Sequence, residues 1–317
     1  MTLSAVQSVN RGLVNLRANW ELLCFQVLQV LIVSVLVIVG FVPPLGVLGF
    51  TDLATFDPAT QNWSSVMESL AALVTRGREA WALLIASLLL ACAIWLMATL
   101  VYCFFQAGIF GVLVAGDRQA PPGKPHGWQW FRTFSASSFR GWAARYLWRY
   151  FWLLNLFILI STVWLVLPVL LLMLTVWGDA RWGTAAAIGI GCGGAIPLAF
   201  SVIVLAFWSQ LAQADLAREN SGVWIATRRG LQILGRRLGA VVFLGLGLII
   251  VMITLTVSVG VISTFLDFFS GLGATARLTG HVALTLLEWG ASSVVSVAFA
   301  AILVSLVRGE SGGELPA

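Results

Sequence analysis

Residues 281–300, HVALTLLEWGASSVVSVAFA, are almost wholly apolar or small, and their only titratable side chains are His281 and Glu288. A helix needs about 20 predominantly apolar residues to cross the hydrocarbon core of a bilayer. This stretch therefore predicts a membrane-spanning helix. The glutamate within it is the first candidate for a functional residue, because an acid at that depth is costly unless it faces protein or water.

The rest of the chain has the same composition. Its 317 residues are 60% hydrophobic and 10% charged, and the mean hydropathy is +0.96. Since a soluble domain carries about 25% charged residues, the composition excludes an ordinary soluble protein. The first apolar run starts late and lacks a small-residue cleavage site, so we interpret it as a span rather than a signal peptide. The six predicted spans cover residues 22–42, 82–115, 151–177, 184–212, 239–266 and 282–307.

Basic residues in the connecting segments predict the orientation, because Lys and Arg stay on the cytoplasmic side of a membrane. Of the 18 basic residues, 14 fall on one side of the predicted topology, together with both termini. We therefore predict a multi-pass protein of the cytoplasmic (inner) membrane with both termini in the cytoplasm. The net charge of +5 indicates attraction to anionic lipid headgroups rather than to nucleic acid. The candidate headgroup-binding residues are Arg140, Arg145, Arg149, Arg228, Arg229, Arg236 and Arg237.

A basic segment with helical periodicity precedes the first, third and fifth predicted spans. Each segment contains an Arg-Gly dipeptide: Arg11-Gly12, Arg140-Gly141 and Arg229-Gly230. In the first segment the apolar residues step by three and four along one helical face, opposite the arginines. These apolar residues are Val6, Val9, Leu13, Leu16 and Trp20, and the arginines are Arg11 and Arg17.

These repeats predict an all-α polytopic membrane protein. Its six transmembrane helices would form three hairpins, each preceded by a cytoplasmic-side amphipathic helix. We expect one membrane-embedded domain, residues 1–317, with possible repeat units 1–115, 128–213 and 220–308. The alternative is convergence, because any helix at the inner interface needs an apolar stripe and arginines that reach the headgroups. Residues 59–76 have a helical pattern that fits either a surface helix or a re-entrant helix.

Residues 215–250 are DLARENSGVWIATRRGLQILGRRLGAVVFLGLGLII. They place an acidic residue after a span, then an amphipathic stretch with Ala226 and Arg229, then a basic turn into the next span. This pattern resembles the repeated element of uncharacterised membrane proteins related to the membrane domain of glycerophosphodiester phosphodiesterases. The resemblance implies a six-span helical fold. Relatives in that group can carry a soluble phosphodiesterase barrel, but this chain has no room for one, so the resemblance implies no such activity.

The sixth predicted span carries its polar residues at helical spacing. His281, Thr285, Glu288, Ser292 and Ser296 step by three and four, which places them on one face. We expect that face to look into the helix bundle. Two interpretations of Glu288 stay open: a structural acid, paired for example with Arg277, or a site that handles a proton or a ligand.

Residues 189–197, GIGCGGAIP, lie inside an apolar run and not between a strand and a soluble helix, so they do not predict a nucleotide-binding loop. We interpret them as small residues that let two membrane helices pack closely. The alternative is a broken helix at a transporter binding site, marked by Gly193, Gly194 and Pro197.

The sequence lacks the motifs of common enzymes, and its four cysteines show neither CxxC spacing nor a nearby histidine. We therefore expect no catalysis, metal or cofactor. The leading hypothesis is a non-catalytic membrane protein that binds lipid or a partner, either another membrane subunit or a second copy, as an assembly subunit of a complex. The alternative is a small-solute transporter or proton-coupled permease that uses Glu288.

Overall fold

The computed structural model describes residues 4–48, 81–121, 127–268 and 274–308. Regular structure in these ranges is helical, and six of the helices are long and apolar enough to cross a membrane. The prediction of an all-α chain with six helices of membrane-spanning length is confirmed. The helices are α1 (Ala5–Ala18), α2 (Glu21–Leu48), α3 (Trp81–Gln119), α4 (Ala136–Trp182), α5 (Thr184–Glu219), α6 (Val223–Arg236), α7 (Leu238–Phe268) and α8 (Ala274–Arg308), with a 3₁₀ turn at Trp128–Phe131.

The three basic segments do not all form separate helices. The first and third become the fourteen-residue helices α1 and α6. The second is continuous with the third span, because α4 runs unbroken for 47 residues from Ala136 to Trp182. A break thus separates the basic segment from the span at α1–α2 and at α6–α7. The second basic segment and its span form one long helix, α4.

The chain divides into two compact units, one formed by Met1–Val27 and Cys103–Ala317 and the other by Leu28–Tyr102. In the second unit α2 approaches α3 at Gly40, where an added Cβ would lie 3.2 Å from Ile94. The rings of Phe41 and Trp95 meet edge to face there, 6.3 Å apart. The predicted helix at residues 59–76 lies outside the described residues. The first unit contains the polar site described below.

Helix α1 begins at a capping box in which Ser4 Oγ accepts a hydrogen bond from Gln7 N (3.2 Å) and Gln7 Oε1 accepts one from Ser4 N (2.9 Å). Most of its buried residues are polar or small, whereas the apolar side chains of Val6 and Leu13 are exposed. The buried residues are Ser8, Arg11, Gly12, Asn15, Leu16 and Ala18. The apolar stripe predicted from the sequence is therefore divided: Val6, Leu13 and Trp20 are exposed, Val9 is half-buried, and Leu16 is buried. Arg11 lies inside the protein on the opposite face, but Arg17, predicted to share that face, is exposed on the side of Leu13 and Trp20.

Glycines permit close approach where the short helices meet the ends of the spans. A Cβ on Gly12 would lie 2.6 Å from the Ile302 backbone in α8, and one on Gly230 would lie 2.9 Å from Ala212 N in α5. Both distances are too short for a side chain, so these two helices dock backbone to backbone. Only glycine permits that contact without displacing a neighbour.

Helices α4 and α5 pack against each other, and their contacts also depend on small residues. Gly194 faces Leu171, and Gly191 faces Thr175, on the α4 side of the pair. Helix α5 continues without interruption through Pro197. The small residues of the GIGCGGAIP stretch therefore serve helix packing at two positions, and the helix is not broken there.

Candidate functional site

The basic ends of the membrane helices in the first unit converge on a buried aspartate. Asp117, in the last turn of α3, is fully buried. Its Oδ1 accepts a hydrogen bond from Arg11 Nε at 2.6 Å. Its other oxygen, Oδ2, accepts Arg218 Nη1 at 3.1 Å and lies 3.6 Å from Arg308 Nη1. We call these four residues the Asp117 cluster. They join α1, α3, α5 and α8 at one carboxylate.

The arginines of the cluster also satisfy the carbonyl groups at the end of α3. Arg11 Nη2 donates to Asp117 O (3.0 Å) and Ala120 O (3.1 Å), and Arg11 Nη1 donates to Pro121 O (3.0 Å). Arg308 Nη1 donates to the same two carbonyls, Asp117 O and Ala120 O. The last carbonyls of a helix lack partners within it and carry partial negative charge, so guanidinium groups are favourable there.

Two asparagines that follow Arg11 bind the segments around it: Asn19 binds the loop that contains Phe131, and Asn15 binds α3. Asn19 Nδ2 donates to Phe131 O at 2.8 Å, and Asn19 Oδ1 accepts from the backbone N–H groups of Thr133 (3.0 Å) and Phe134 (2.9 Å). Asn15 Nδ2 donates to Leu113 O at 2.8 Å. Phe131 then lies under the Arg11 guanidinium, 5.0 Å from ring centroid to Cζ. The loop thereby covers the buried arginine.

A second polar region lies at the end of α5. Asp215 is buried, accepts a hydrogen bond from Ser221 Oγ at 3.3 Å and interacts electrostatically with Arg229. Asn220 ends the helix in a left-handed conformation (φ +52°), which asparagine tolerates better than most residues. Arg149 of α4 holds it there, donating to both Asn220 O and Asn220 Oδ1 at 2.7 Å. Polar contacts thus fix the end of α5 against α4.

The seven predicted headgroup-binding arginines fall in different environments. Arg140, Arg145, Arg228 and Arg236 are exposed, whereas Arg149, Arg229 and Arg237 are half-buried. Arg149 is bound to Asn220, and Arg229 faces Asp215. Arg149 and Arg229 thus have interactions within the protein.

The predicted polar face of the sixth span is only partly covered. His281, Glu288 and Ser292 are half-buried, and Thr285 and Ser296 are exposed. His281 Nδ1 lies 3.5 Å from Ser263 Oγ of α7, and Thr285 Oγ1 donates to the carbonyl of His281 at 2.9 Å. The buried face of α8 instead carries Ser293, Val297, Ala300, Ala301, Leu303 and Val304. Within the part of the chain that the structure describes, Glu288 has no hydrogen bond or ion pair, and the Arg277 side chain lies outside that part.

The sequence analysis missed the Asp117 cluster. A signal was present, because Asp117 follows an apolar run on the basic side of the predicted topology, among arginines. An acid in such a place calls for a cationic partner. The partners lie 101 to 191 positions away along the chain, so periodicity could not select them. Among the described residues, no three of the His, Cys, Asp and Glu side chains gather in a way that would hold a metal ion.

No protein-family model, curated protein sequence or solved structure matches the chain. The resemblance to membrane proteins related to the membrane domain of glycerophosphodiester phosphodiesterases therefore stays a prediction.

Proposed function

We propose that the chain is a non-catalytic multi-pass membrane protein that binds lipid or a partner subunit and acts in the assembly of a membrane complex. The α4–α5 hairpin carries this proposal. Only 6% of the residues in the most apolar part of α4, and 6% of those in α5, are buried, compared with 50% in α8. A hairpin with so little cover from its own chain offers its apolar surface to other molecules in the membrane.

The exposed surface of α5 favours a protein partner. Ala185, Gly189 and Gly193 lie four residues apart along one exposed face, and a Cβ on either glycine would meet open space. Small residues at this spacing let membrane helices approach closely. The exposed surface of α4 is different, because it carries large aliphatic side chains such as Leu167 and Leu170. That surface suits lipid tails.

The Asp117 cluster supports the non-catalytic part of the proposal. All three guanidinium nitrogens of Arg11 are bound to oxygen atoms of α3 and the segment that follows it. The aspartate is fully buried. Side chains used in this way stabilise helix ends and are not available to a substrate. The Asp117 cluster forms a fixed base for the apolar helices that extend from it.

We interpret the architecture as three hairpins in the cytoplasmic membrane with both termini in the cytoplasm. The distribution of basic residues supports this orientation, and so do the similar contacts of Gly12 and Gly230. Reporter fusions at residues 60 and 125 test it. We expect the reporter at 125 to be cytoplasmic and the reporter at 60 to be on the opposite side; the reverse result would overturn the orientation.

Extraction of the chain from its native membrane with a lipid-retaining copolymer, followed by native mass spectrometry, tests the assembly role. We expect a species heavier than one chain, containing a partner subunit, a second copy or retained lipid. Gly189→Leu with Gly193→Leu should release the protein partner. Gly247→Leu is the matched control, because Gly247 of α7 also faces open space. A lone chain without retained lipid would contradict the proposal.

One observation favours a second candidate function, a small-solute transporter or proton-coupled permease. Glu288 is half-buried within α8 and has no polar partner in the described part of the chain, and an intramembrane carboxylate is often a proton-handling group. Proteoliposomes with an imposed pH gradient test this role. The native chain should dissipate the gradient faster than Glu288→Gln. Equal rates for the native chain and the variant, or for the native chain and empty liposomes, would remove this candidate.

A further inference from the structure

Helices α1 and α6 are equivalent at a fixed offset of 218 residues. The offset superimposes Arg11-Gly12 on Arg229-Gly230. In both helices the glycine docks against the end of a span, Gly12 on α8 and Gly230 on α5. In both, the arginine interacts with a buried aspartate: Arg11 forms an ion pair with Asp117, and Arg229 interacts electrostatically with Asp215. The inward faces of the two helices therefore follow one plan.

The outward faces follow one plan as well. In α1 and the turn after it, the side chains of Val6, Leu13 and Trp20 are 68%, 47% and 55% exposed. Their equivalents in α6 and directly after it are Trp224, Leu231 and Leu238, which are 72%, 48% and 49% exposed. Within each helix this spacing places Val6 with Leu13, and Trp224 with Leu231, on one side. Trp20, in the turn after α1, and Leu238, the first residue of α7, are the exposed residues that follow at the same spacing. The two helices thus turn an apolar stripe away from the protein at equivalent positions.

An exposed arginine accompanies each stripe. Arg17 lies between Leu13 and Trp20 on the outward face of α1, and Arg228 lies between Trp224 and Leu231 on that of α6. Large apolar groups, tryptophan and arginine on one face are typical of a helix that lies in the interface of a bilayer, where long basic side chains extend to the headgroups. Both helices are also directly joined to membrane-spanning helices, α2 and α7.

We infer that the outward faces of α1 and α6 form two equivalent surfaces that bind the anionic leaflet of the membrane, with the apolar stripes among the lipid tails and Arg17 and Arg228 at the headgroups. The inference rests on the lipid-binding side of the proposed function, but it uses α1 and α6 rather than the exposed face of α5. It also divides the arginines by task. Arg11 docks α1 onto Asp117 and Arg229 interacts electrostatically with Asp215, while Arg17 and Arg228 recognise lipid.

Site-directed spin labelling tests the position of the two faces. In a background without native cysteines, Leu13→Cys and Leu231→Cys carry a nitroxide in vesicles of phosphatidylcholine with phosphatidylglycerol. Relaxation by oxygen reports contact with lipid tails, and relaxation by a water-soluble nickel complex reports contact with water. The exposed residues Ser137 and Leu170 give the aqueous and lipid references.

We expect the labels at 13 and 231 to resemble the label at 170 more than the label at 137. Labels that respond mainly to the nickel complex would overturn the inference, because the faces would then lie in water. Labels shielded from both agents would overturn it too, because a protein surface would then cover the faces. If native mass spectrometry still showed the assembly, either result would overturn this inference and leave the proposed function standing. If the labels lay among lipid tails but the chain were extracted alone, only the assembly part of the proposed function would be contradicted.

The arginines have a charge-matched control. Arg17→Gln with Arg228→Gln should weaken association with spin-labelled phosphatidylglycerol, by roughly fivefold for each arginine removed. Arg181→Gln with Arg277→Gln makes the same change in net charge near the opposite ends of α4 and α8 and should have little effect. Equal effects of the two pairs would show a response to net charge alone and would overturn the assignment of headgroup binding to Arg17 and Arg228.

Discussion

The two ends of α4 and α5 are built differently. At the basic end, Tyr150 Oη donates to Gln213 O at 2.9 Å, Arg149 binds Asn220, and Leu211 to Arg218 are buried without interruption. In the apolar part of the same helices, most described side chains are exposed. The difference shows that buried hydrogen bonds add to buried side chains at the basic end, whereas in the apolar part the helices meet through contacts such as Gly194 with Leu171. That follows from the solvent, because lipid tails compete with apolar packing but not with buried hydrogen bonds.

The largest effect is expected from Asp117→Asn. The change removes the carboxylate charge that Arg11, Arg218 and Arg308 share, and removal of one partner of a buried pair costs about 3–5 kcal/mol. Thermal unfolding in detergent measures the loss. Glu219→Gln is the control, since that carboxylate is more exposed and lies 3.7 Å from Arg218 Nε. Equal stability of the two variants would mean that the Asp117 cluster does not stabilise the basic end.

Arg11→Lys should have the next largest effect. Lysine keeps the charge, but its single ammonium group cannot replace a planar guanidinium that binds one carboxylate and three backbone carbonyls at once. Hydrogen bonds to charged groups each contribute about 1.5–3 kcal/mol, so we expect a loss in that range. Arg118→Lys is the control, because Arg118 is exposed in the turn of α3 that carries Asp117. It should leave the midpoint of thermal unfolding unchanged. A native-like Arg11→Lys variant would show that charge alone holds α1 to α3.

Gly12→Ala and Gly141→Ala test close packing with the same substitution in two Arg-Gly dipeptides. A Cβ on Gly12 would lie 2.6 Å from the Ile302 backbone, whereas one on Gly141 would meet nothing within 4 Å. We expect Gly12→Ala to destabilise by about 1–3 kcal/mol. Gly141→Ala should be neutral or stabilise by up to about 1 kcal/mol, because alanine favours the helix. The opposite order, measured by thermal unfolding, would contradict the docking of α1 on α8.

The smallest effect is expected from Leu170→Ala in the exposed part of α4. The side chain is 49% exposed, and substitutions at such sites usually change stability by less than about 0.5 kcal/mol. Leu303→Ala in α8 is the contrast, because Leu303 is fully buried and such changes cost about 2–5 kcal/mol. A large loss for Leu170→Ala in detergent would show that another molecule or chain segment covers this face.

The sequence alone determined the class of the protein, because six long apolar runs have no other stable environment than a bilayer. It also marked Arg11, Gly12, Arg229 and Gly230 through their placement before spans. It did not show which face of α1 meets protein. In a soluble protein the apolar stripe turns inward, but here Leu13 and Trp20 are exposed and Asn15 is buried.

Only the tertiary structure showed which residues form the Asp117 cluster and how far Glu288 is buried. Periodicity shows which residues share a helical face, and it places His281 and Glu288 together. It carries no information on which distant helix that face meets. Asp117 finds Arg11, Arg218 and Arg308 because the ends of α3, α5 and α8 converge on α1. In a membrane, apolar residues suit lipid and protein equally, so hydropathy sets the number of spans but leaves their partners to packing and hydrogen bonds.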